Sequence, residues 1–424
     1  MQREPLLYLA HRIPFPPNKG DKVRSFNILR HLSGRYRVFL GCFVDQAGDE
    51  QHAGALGEWC EQCFAVSLNP TWARIAGLRG LATGEALTIP YYRNRRMARW
   101  VQDTVRKAGI DRAVIFSGAM AQYLGGLTLG SRVVDFCDVD SAKWAEFADR
   151  RRWPMSWLYR REGRLLSEFE RRWAEDVEVS TFVTESERAL FLRGVRSGRP
   201  RVEVLENGVD EHFFDPRSAP ANPYPAGTRA IVFSGAMDYW PNVDAACWFA
   251  AEVMPLLRDR VPGLRFVIVG MNPAPAVRAL AARADVEVTG TVPDVRPFVT
   301  HASVVVAPLR IARGIQNKVL EAMSLGRPVV VSRASASGLG ARPDEEFLCA
   351  GTADEFARAV LQLLDPVVGE RFGAAARRRI LGDYAWQAKL AKLDAMVESG
   401  FALRAGPAHG LGGIVAAGSG VTNG

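Results

Sequence analysis

The stretch 303–332 constrains the fold most. An apolar run, Ser303-Val-Val-Val-Ala-Pro308, leads into a loop carrying Gly314. A helix-length amphipathic segment follows at about 316–325. Gly326-Arg327-Pro328 then breaks it, and a second apolar run closes at Ser332. Two short β-branched runs around one helical segment predict a strand–helix–strand unit with parallel strands. A loop that turns at a glycine into a helix offers unpaired N–H groups and a positive dipole end, which suits phosphate. Lys318 and Glu321 stand three apart on one face near that end. A cation beside phosphate and a carboxylate beside sugar hydroxyls would fit a nucleotide-sugar. An ordinary unit with a solvated Lys–Glu pair has the same spacing.

The pattern recurs on both sides of a break. Residues 6–10, 36–43, 62–68, 112–116, 132–136, 177–183 and 202–205 read as strands, with helices expected at 23–32, 51–61, 71–82 and 91–108. Residues 215–227 hold four prolines and few apolar side chains, which marks a linker. A second series follows, with strands at 230–233, 265–269, 286–288, 303–307, 328–332 and 346–349, and helices including 243–257, 353–364, 367–381 and 386–398. The expected fold class is α/β, with two Rossmann-like, doubly wound parallel-sheet domains facing across a cleft. At 424 residues the chain is long enough for two cores. The divisions are 1–215, 216–385, a C-terminal helix at 386–400 able to return to the first domain, and a Gly/Ala-rich tail at 401–424 expected to be disordered.

Composition narrows the class. Apolar content of 48% with 24% charged residues reads as globular, and no run of about 18 apolar residues occurs. The opening Met-Gln-Arg-Glu-Pro is too charged for a secretory signal, so a cytoplasmic protein is expected. The net charge of +8 suits anionic partners without choosing among them. Cys60-Glu-Gln-Cys63 is a lone pair without a second pair or nearby histidines, so reduced thiols are expected and no metal.

In such sheets the ligand crevice lies beyond the carboxyl ends of the strands. Gly20, Ser117, Gly118, Asp138 and Asp140 fall at those ends, and Lys19, Lys22 and Arg24 surround Gly20. Asp138 and Asp140 either accept bonds from substrate hydroxyls or cap the next helix. Residues 150–173 combine eight arginines with Trp153, Trp157, Leu158, Leu165, Leu166, Phe169 and Trp173. Two readings stay open there: an anionic membrane surface, or a helix whose apolar stripe faces the core. No base-reading module accompanies the arginines, so no nucleic-acid partner is expected.

The C-terminal half resembles retaining two-domain (GT-B fold) glycosyltransferases of the glycogen-synthase-like, group 1 family. The resemblance rests on Glu206-Asn-Gly-Val-Asp210, Phe233-Ser-Gly235, Val269-Gly270, Val288-Thr-Gly290 through Asp294, and Gly314-x3-Lys318-x2-Glu321-Ala-Met-x2-Gly326-x-Pro328. The Pro14–Gly20 loop, Asp138-Val-Asp140-Ser-Ala-Lys-Trp144 and Ala312-Arg-Gly-Ile-Gln-Asn-Lys318 look most like sugar transferases of exopolysaccharide clusters associated with the PEP-CTERM/exosortase system.

This resemblance implies transfer with retention, without metal or cofactor, from a nucleoside-diphosphate sugar to a glycan or lipid-linked acceptor. Such an enzyme is expected in the cytoplasm, where the Arg-rich segment 150–173 would bring it to the inner face of the cell membrane. Glu321 would hold the ribose, and the backbone at Gly314, Ile315 and Gln316 would lie by sugar and diphosphate. Gly20 would lie near the β-phosphate, Gly235 beside the donor, and Gly290 near the base. The usual first carboxylate of the family's Glu-x7-Glu is Arg313 here. The usual Arg and Lys after the Phe-x-Gly strand are Ala236 and Asn242. Arg310, Arg313 and Lys318 are the candidates for replacing that charge. Asp138 takes the place of the catalytic-site histidine. A nucleotide-sugar 2-epimerase of the same fold and a non-catalytic nucleotide-binding homologue are the alternatives.

Overall fold

The computed structural model describes residues 3–46, 48–149, 151–195, 198–218, 221–312, 315–336 and 338–404. The first sheet comprises β1 (Pro5–Ala10), β2 (Arg37–Val44), β3 (Gln62–Ser67), β4 (Arg112–Phe116), β5 (Ser131–Cys137), β6 (Val179–Phe182) and β7 (Val202–Val204). Its order is β3-β2-β1-β4-β5-β6-β7, and every pairing is parallel. The second comprises β8 (Arg229–Ser234), β9 (Leu264–Val269), β10 (Val286–Gly290), β11 (Val304–Ala307), β12 (Val329–Ser332) and β13 (Leu348–Ala350). Its order is β10-β9-β8-β11-β12-β13, again all parallel. The winding reverses between β1 and β4 and between β8 and β11, which opens a crevice at each carboxyl edge.

Alternate residues explain the unbroken apolar runs. In β1, Leu6, Tyr8 and Ala10 join one core cluster while Leu7 and Leu9 join the cluster on the other face. In β8, Ile231 and Phe233 face one way and Ala230 and Val232 the other. Helices cover both faces, so neither parity can be polar.

Several segments depart from the pattern. The helix expected at 23–32 spans Gly20–Arg35, so Gly20 opens it. The segment 51–61 forms two 3-10 turns, Asp49–His52 and Gly54–Glu58, because glycines at 54 and 57 weaken a regular helix. The segment 91–108 divides into Thr88–Tyr91 and Arg95–Ala108, the latter capped by Asn94 through the Arg96 and Met97 N–H groups. The helix at 243–257 passes through a π turn, Phe249–Val253, just ahead of Pro255, which has no N–H to continue the regular ladder.

The long helix Met155–Asp176 resolves the stripe at 150–173. Leu166 is buried, and Leu165, Phe169 and Trp173 pack against the first domain's core. Only its approach and first turn point outward: Trp153 is 79% exposed and Trp157 55%. Most of the stripe therefore faces protein.

The chain passes from one sheet to the other after β7 and returns at Tyr384–Trp386, and the two crossings are clasped. Val209 pairs with Ala385, and its N–H donates to the Tyr384 carbonyl at 2.8 Å. Gly208 permits this contact, since a Cβ there would stand 2.7 Å from Trp386 Cα. The last helix, Trp386–Arg404, then lies on the first domain. Trp386, Leu390, Leu393 and Val397 enter its core, His31 Nε2 meets Asp394 at 2.9 Å, and the Tyr36 hydroxyl donates to Glu398 at 2.6 Å. The helix continues through 401–404, where a disordered tail was expected, and 405–424 lie outside the described residues.

Candidate active site

Two helix N-termini meet in the cleft between the sheets. One belongs to Gly20–Arg35, the other to Asn317–Ser324, and neither has a side-chain cap. Their first intrahelical bonds run from Val23 N to Lys19 O and from Val319 N to Gln316 O. The N–H groups of Gly20, Asp21 and Lys22, and of Asn317 and Lys318, precede those bonds. The ends are close, because a Cβ at Gly20 would stand 3.7 Å from Asn317 Nδ2. Two positive dipole ends brought this close can attract an anion between them.

The second domain supplies the floor. Lys318 Nζ donates to Asn242 Oδ1 at 2.6 Å and lies 4.5 Å above the Phe233 ring. Asn242 Nδ2 in turn donates to the Ala236 carbonyl. Gly235 leaves room for both groups, as a Cβ there would lie 2.9 Å from Asn242 Nδ2 and 3.0 Å from Lys318 Nζ. Lys318 and Glu321 keep some contact with solvent yet sit deep among protein atoms. Burial pushes the Lys318 ammonium down to about 7, opposed by Glu321. It pushes the Glu321 carboxyl up to about 7, opposed by Lys318.

The first domain supplies polar groups at the ends of β4 and β5. Ser117 and Cys137 adopt left-handed backbone, with φ of 79° and 65°. Such conformations in non-glycine residues cluster at functional sites. Lys143 Nζ holds Asp138 at 2.8 Å and Asp140 at 3.0 Å, while Asp138 Oδ1 is buried with no hydrogen-bond partner. Burial would lower Lys143, but Asp140 and Asp138 together raise it well above the usual lysine range. Tyr239, from the loop after β8, is raised by burial and feels Lys143, Asp138 and Asp140 across the cleft. The Asp pair is thus tied to Lys143. Asp140 is also the first residue of the helix Asp140–Asp149.

The remaining predicted residues fall as follows. Ile315 is buried in the core, so only its backbone can face the gap. Gln316 is the N-cap residue of the helix Asn317–Ser324. Gly290 closes β10 with φ of 71°. Arg310 is held by Asp244 in a two-pronged ion pair, so its charge already has a partner. Arg313 and Gly314 lie outside the described residues.

Lys22 and Arg24, read from sequence as surrounding the Gly20 phosphate loop, turn inward. Lys22 is fully buried on Asp49 at 2.5 Å, and Arg24 grips Asp135 through Nε at 2.7 Å and Nη2 at 3.1 Å. Lys143, Asn207 and Asn317 stand inside the motifs quoted above without being singled out there, and His11 lies outside them. His11 follows β1, stacks on Phe116 with centroids 5.6 Å apart, and has Nδ1 buried without a partner. Its position at a strand's carboxyl end is the one available signal. Among the described residues no group of three or more His, Cys, Asp or Glu is arranged to hold a metal.

Residues 228–366 match the family model described as Glycosyl transferases group 1. Comparison with curated protein sequences returns no match. Among solved structures, sucrose-phosphate synthase from Thermosynechococcus elongatus is similar, with a TM-score of 0.71 at 15% identity, covering 95% of this chain and 100% of that one. Anabaena HepE in complex with UDP gives 0.65 at 13% identity, covering 93% and 100%. WaaG, a glycosyltransferase involved in lipopolysaccharide biosynthesis, gives 0.65 at 15% identity, covering 92% and 99%. These identities establish a shared fold. With the group 1 model matched across all six strands of the second sheet, inside a two-sheet architecture like that of GT-B structures, the findings support a glycosyltransferase of the group 1 type.

Proposed function

We propose that the chain transfers a sugar from a nucleoside-diphosphate sugar to a glycan or lipid-linked acceptor in exopolysaccharide biosynthesis. The observation that carries this reading is the meeting of two uncapped helix N-termini, at Gly20 and Asn317, inside the group 1 glycosyltransferase fold. A diphosphate placed in that gap meets backbone N–H groups from both domains, with Lys318 beneath it. Stabilising the departing diphosphate is the main electrostatic task of such a transfer. Glu321 would hold the ribose.

Transfer proceeds with retention and without metal or cofactor. The bond from the anomeric carbon to the β-phosphate oxygen breaks, and the acceptor oxygen bonds the same face. The acceptor's proton passes to the leaving diphosphate. Similar folds are recorded with UDP and with UDP-glucose in Anabaena HepE, which favours testing uridine donors first. Purified protein should release nucleoside diphosphate from one member of a donor panel, faster with acceptor extract, and Glu321→Ala should abolish release. Donor binding without turnover would sink the transferase reading.

The enzyme works from the cytoplasm, peripherally on the inner face of the membrane. No helix among the described residues is long and apolar enough to cross a bilayer. Trp153, Met155 and Trp157 stand exposed at the head of the long helix, and Trp72, Ile75, Leu78 and Leu81 are exposed nearby. Arg161, one turn beyond Trp157, donates to the Gly80 carbonyl at 2.6 Å, so the two sets adjoin. Exposed Arg74, Arg79, Arg151, Arg152 and Arg160 flank them. Indoles and aliphatics among arginines suit an anionic lipid surface.

A further inference from the structure

A buried chain of hydrogen bonds crosses from the first sheet to the tip of the second domain's helix, and its polarity is forced. It begins at Asp135, which is 1% exposed and lies in β5. Asp135 accepts from Arg24 twice, from Thr181 Oγ1 at 2.9 Å and from Cys137 N at 3.2 Å. Arg24 also donates to the Leu205 carbonyl and, through Nη1, to Asn207 Oδ1, both at 2.7 Å. A guanidinium has only donors, so Asn207 must turn its oxygen towards Arg24. That leaves Asn207 Nδ2 to donate to Asn317 Oδ1 at 3.0 Å. Asn317 must then turn its own Nδ2 the other way, and this is the atom that faces Gly20.

We propose that Asn317 binds the diphosphate of the donor through Nδ2, and that Asp135, Arg24 and Asn207 are positioning residues that fix the orientation of its amide. The assignment rests on the donor-site reading above and adds a side-chain contact to it. The neighbouring charges agree. Asp21, in the first turn of the opposing helix, is held by Arg12 at 2.8 Å and by His11 at 3.4 Å. Arg12 also donates to Asp45 at 2.7 Å, so one guanidinium holds both carboxylates beside the gap. Because Asn207 follows β7 at the crossing between domains, the chain also ties the donor contact to that crossing.

The test is a change of polarity without a change of shape. Asn207→Asp offers Arg24 one oxygen and Asn317 the other. The Asn317 amide must then reverse, giving its Nδ2 to the introduced carboxylate and its oxygen to the gap. Affinities for UDP and GDP, and for uridine and guanosine, are measured by calorimetry on the full chain. The variant should weaken the diphosphate about ten- to a hundredfold, the scale of one lost hydrogen bond to a charged group, and leave nucleoside affinity unchanged. Adding Asn317→Ala should cost little more, because the contact is already lost.

Equal weakening of diphosphate and nucleoside would reveal a merely structural residue and overturn the assignment, as would wild-type affinity in Asn207→Asp. If the wild type binds no nucleoside diphosphate, the donor-site reading falls and the assignment with it. Should Asn207→Asp fail to fold, Asn317→Asp in the open cleft puts a carboxylate oxygen against the diphosphate. It must produce the same selective loss, and selective loss in neither variant overturns the proposal.

Discussion

Lys318 gives its ammonium to Asn242 at 2.6 Å, although Glu321 is the charged residue one turn away on its own helix. A neutral acceptor leaves most of the charge uncompensated. Burial can then bring the ammonium and the Glu321 carboxyl to nearly the same proton affinity, about 7 for each.

Stability should therefore vary with pH in a specific way. Glu321 is raised in the folded state, so its contribution is present at acid pH and is lost as pH rises through about 7. Lys318 is lowered, so its contribution is present at alkaline pH and is lost as pH falls through about 7. Together they give a local minimum near pH 7. Urea midpoints measured from pH 5 to 10 should show it. Glu321→Gln should remove the acid limb and Lys318→Met the alkaline one. Unchanged profiles would refute the two opposed shifts.

Binding of a diphosphate beside Lys318 should favour its charged form. Nucleoside diphosphate should then be bound with net proton uptake near pH 8, visible as a dependence of calorimetric heat on the ionisation enthalpy of the buffer. Lys318→Met should abolish the uptake, and buffer-independent heats in the wild type would place the anion elsewhere.

Arg24→Met should destabilise the protein by about 3–5 kcal/mol, because it strands the Asp135 carboxylate in the first domain's core. Denaturant unfolding measures this, and a loss below about 1 kcal/mol would show the pair to be dispensable.

Gly208→Ala should cost about 1–3 kcal/mol, since the new methyl would press on backbone at Trp386 and part the two crossings. Thermal unfolding provides the check, with Gly57→Ala, where a Cβ meets nothing within 4 Å, as the neutral comparison.

Wild-type protein should float with anionic liposomes at low salt and release as salt rises. Trp153→Ser with Trp157→Ser should weaken flotation without unfolding the chain, because both side chains are exposed. Flotation equal to wild type would remove the membrane reading.

Much of the fold is legible locally. The leucine-rich run of β1 and the β-branched runs of β8, β11 and β12 are apolar on both parities, which parallel sheets covered on both faces require. The glycine loops before Gly20–Arg35 and Asn317–Ser324 stand at the carboxyl edges, where such folds bind ligands. The family pattern around Glu321 points to the same edge.

The use of charge is not legible in the same way. Lys22 and Arg24 flank the Gly20 loop and Arg310 is a candidate for the diphosphate charge, yet each is paired with an aspartate far away in the chain: Asp49, Asp135 and Asp244. The long helix admits a lipid-facing reading by composition, yet Leu166 and its neighbours enter the core. Asn207 and Asn317, 110 residues apart, each stand in a quoted motif, but nothing in the sequence links one to the other. Sequence by itself determined the two parallel sheets and the edges that bear the site, because periodicity and turn chemistry act over a few residues. Tertiary structure alone decided which polar groups remain for a ligand, because a charge or amide is committed by whichever partner the fold brings within about 3 Å of it.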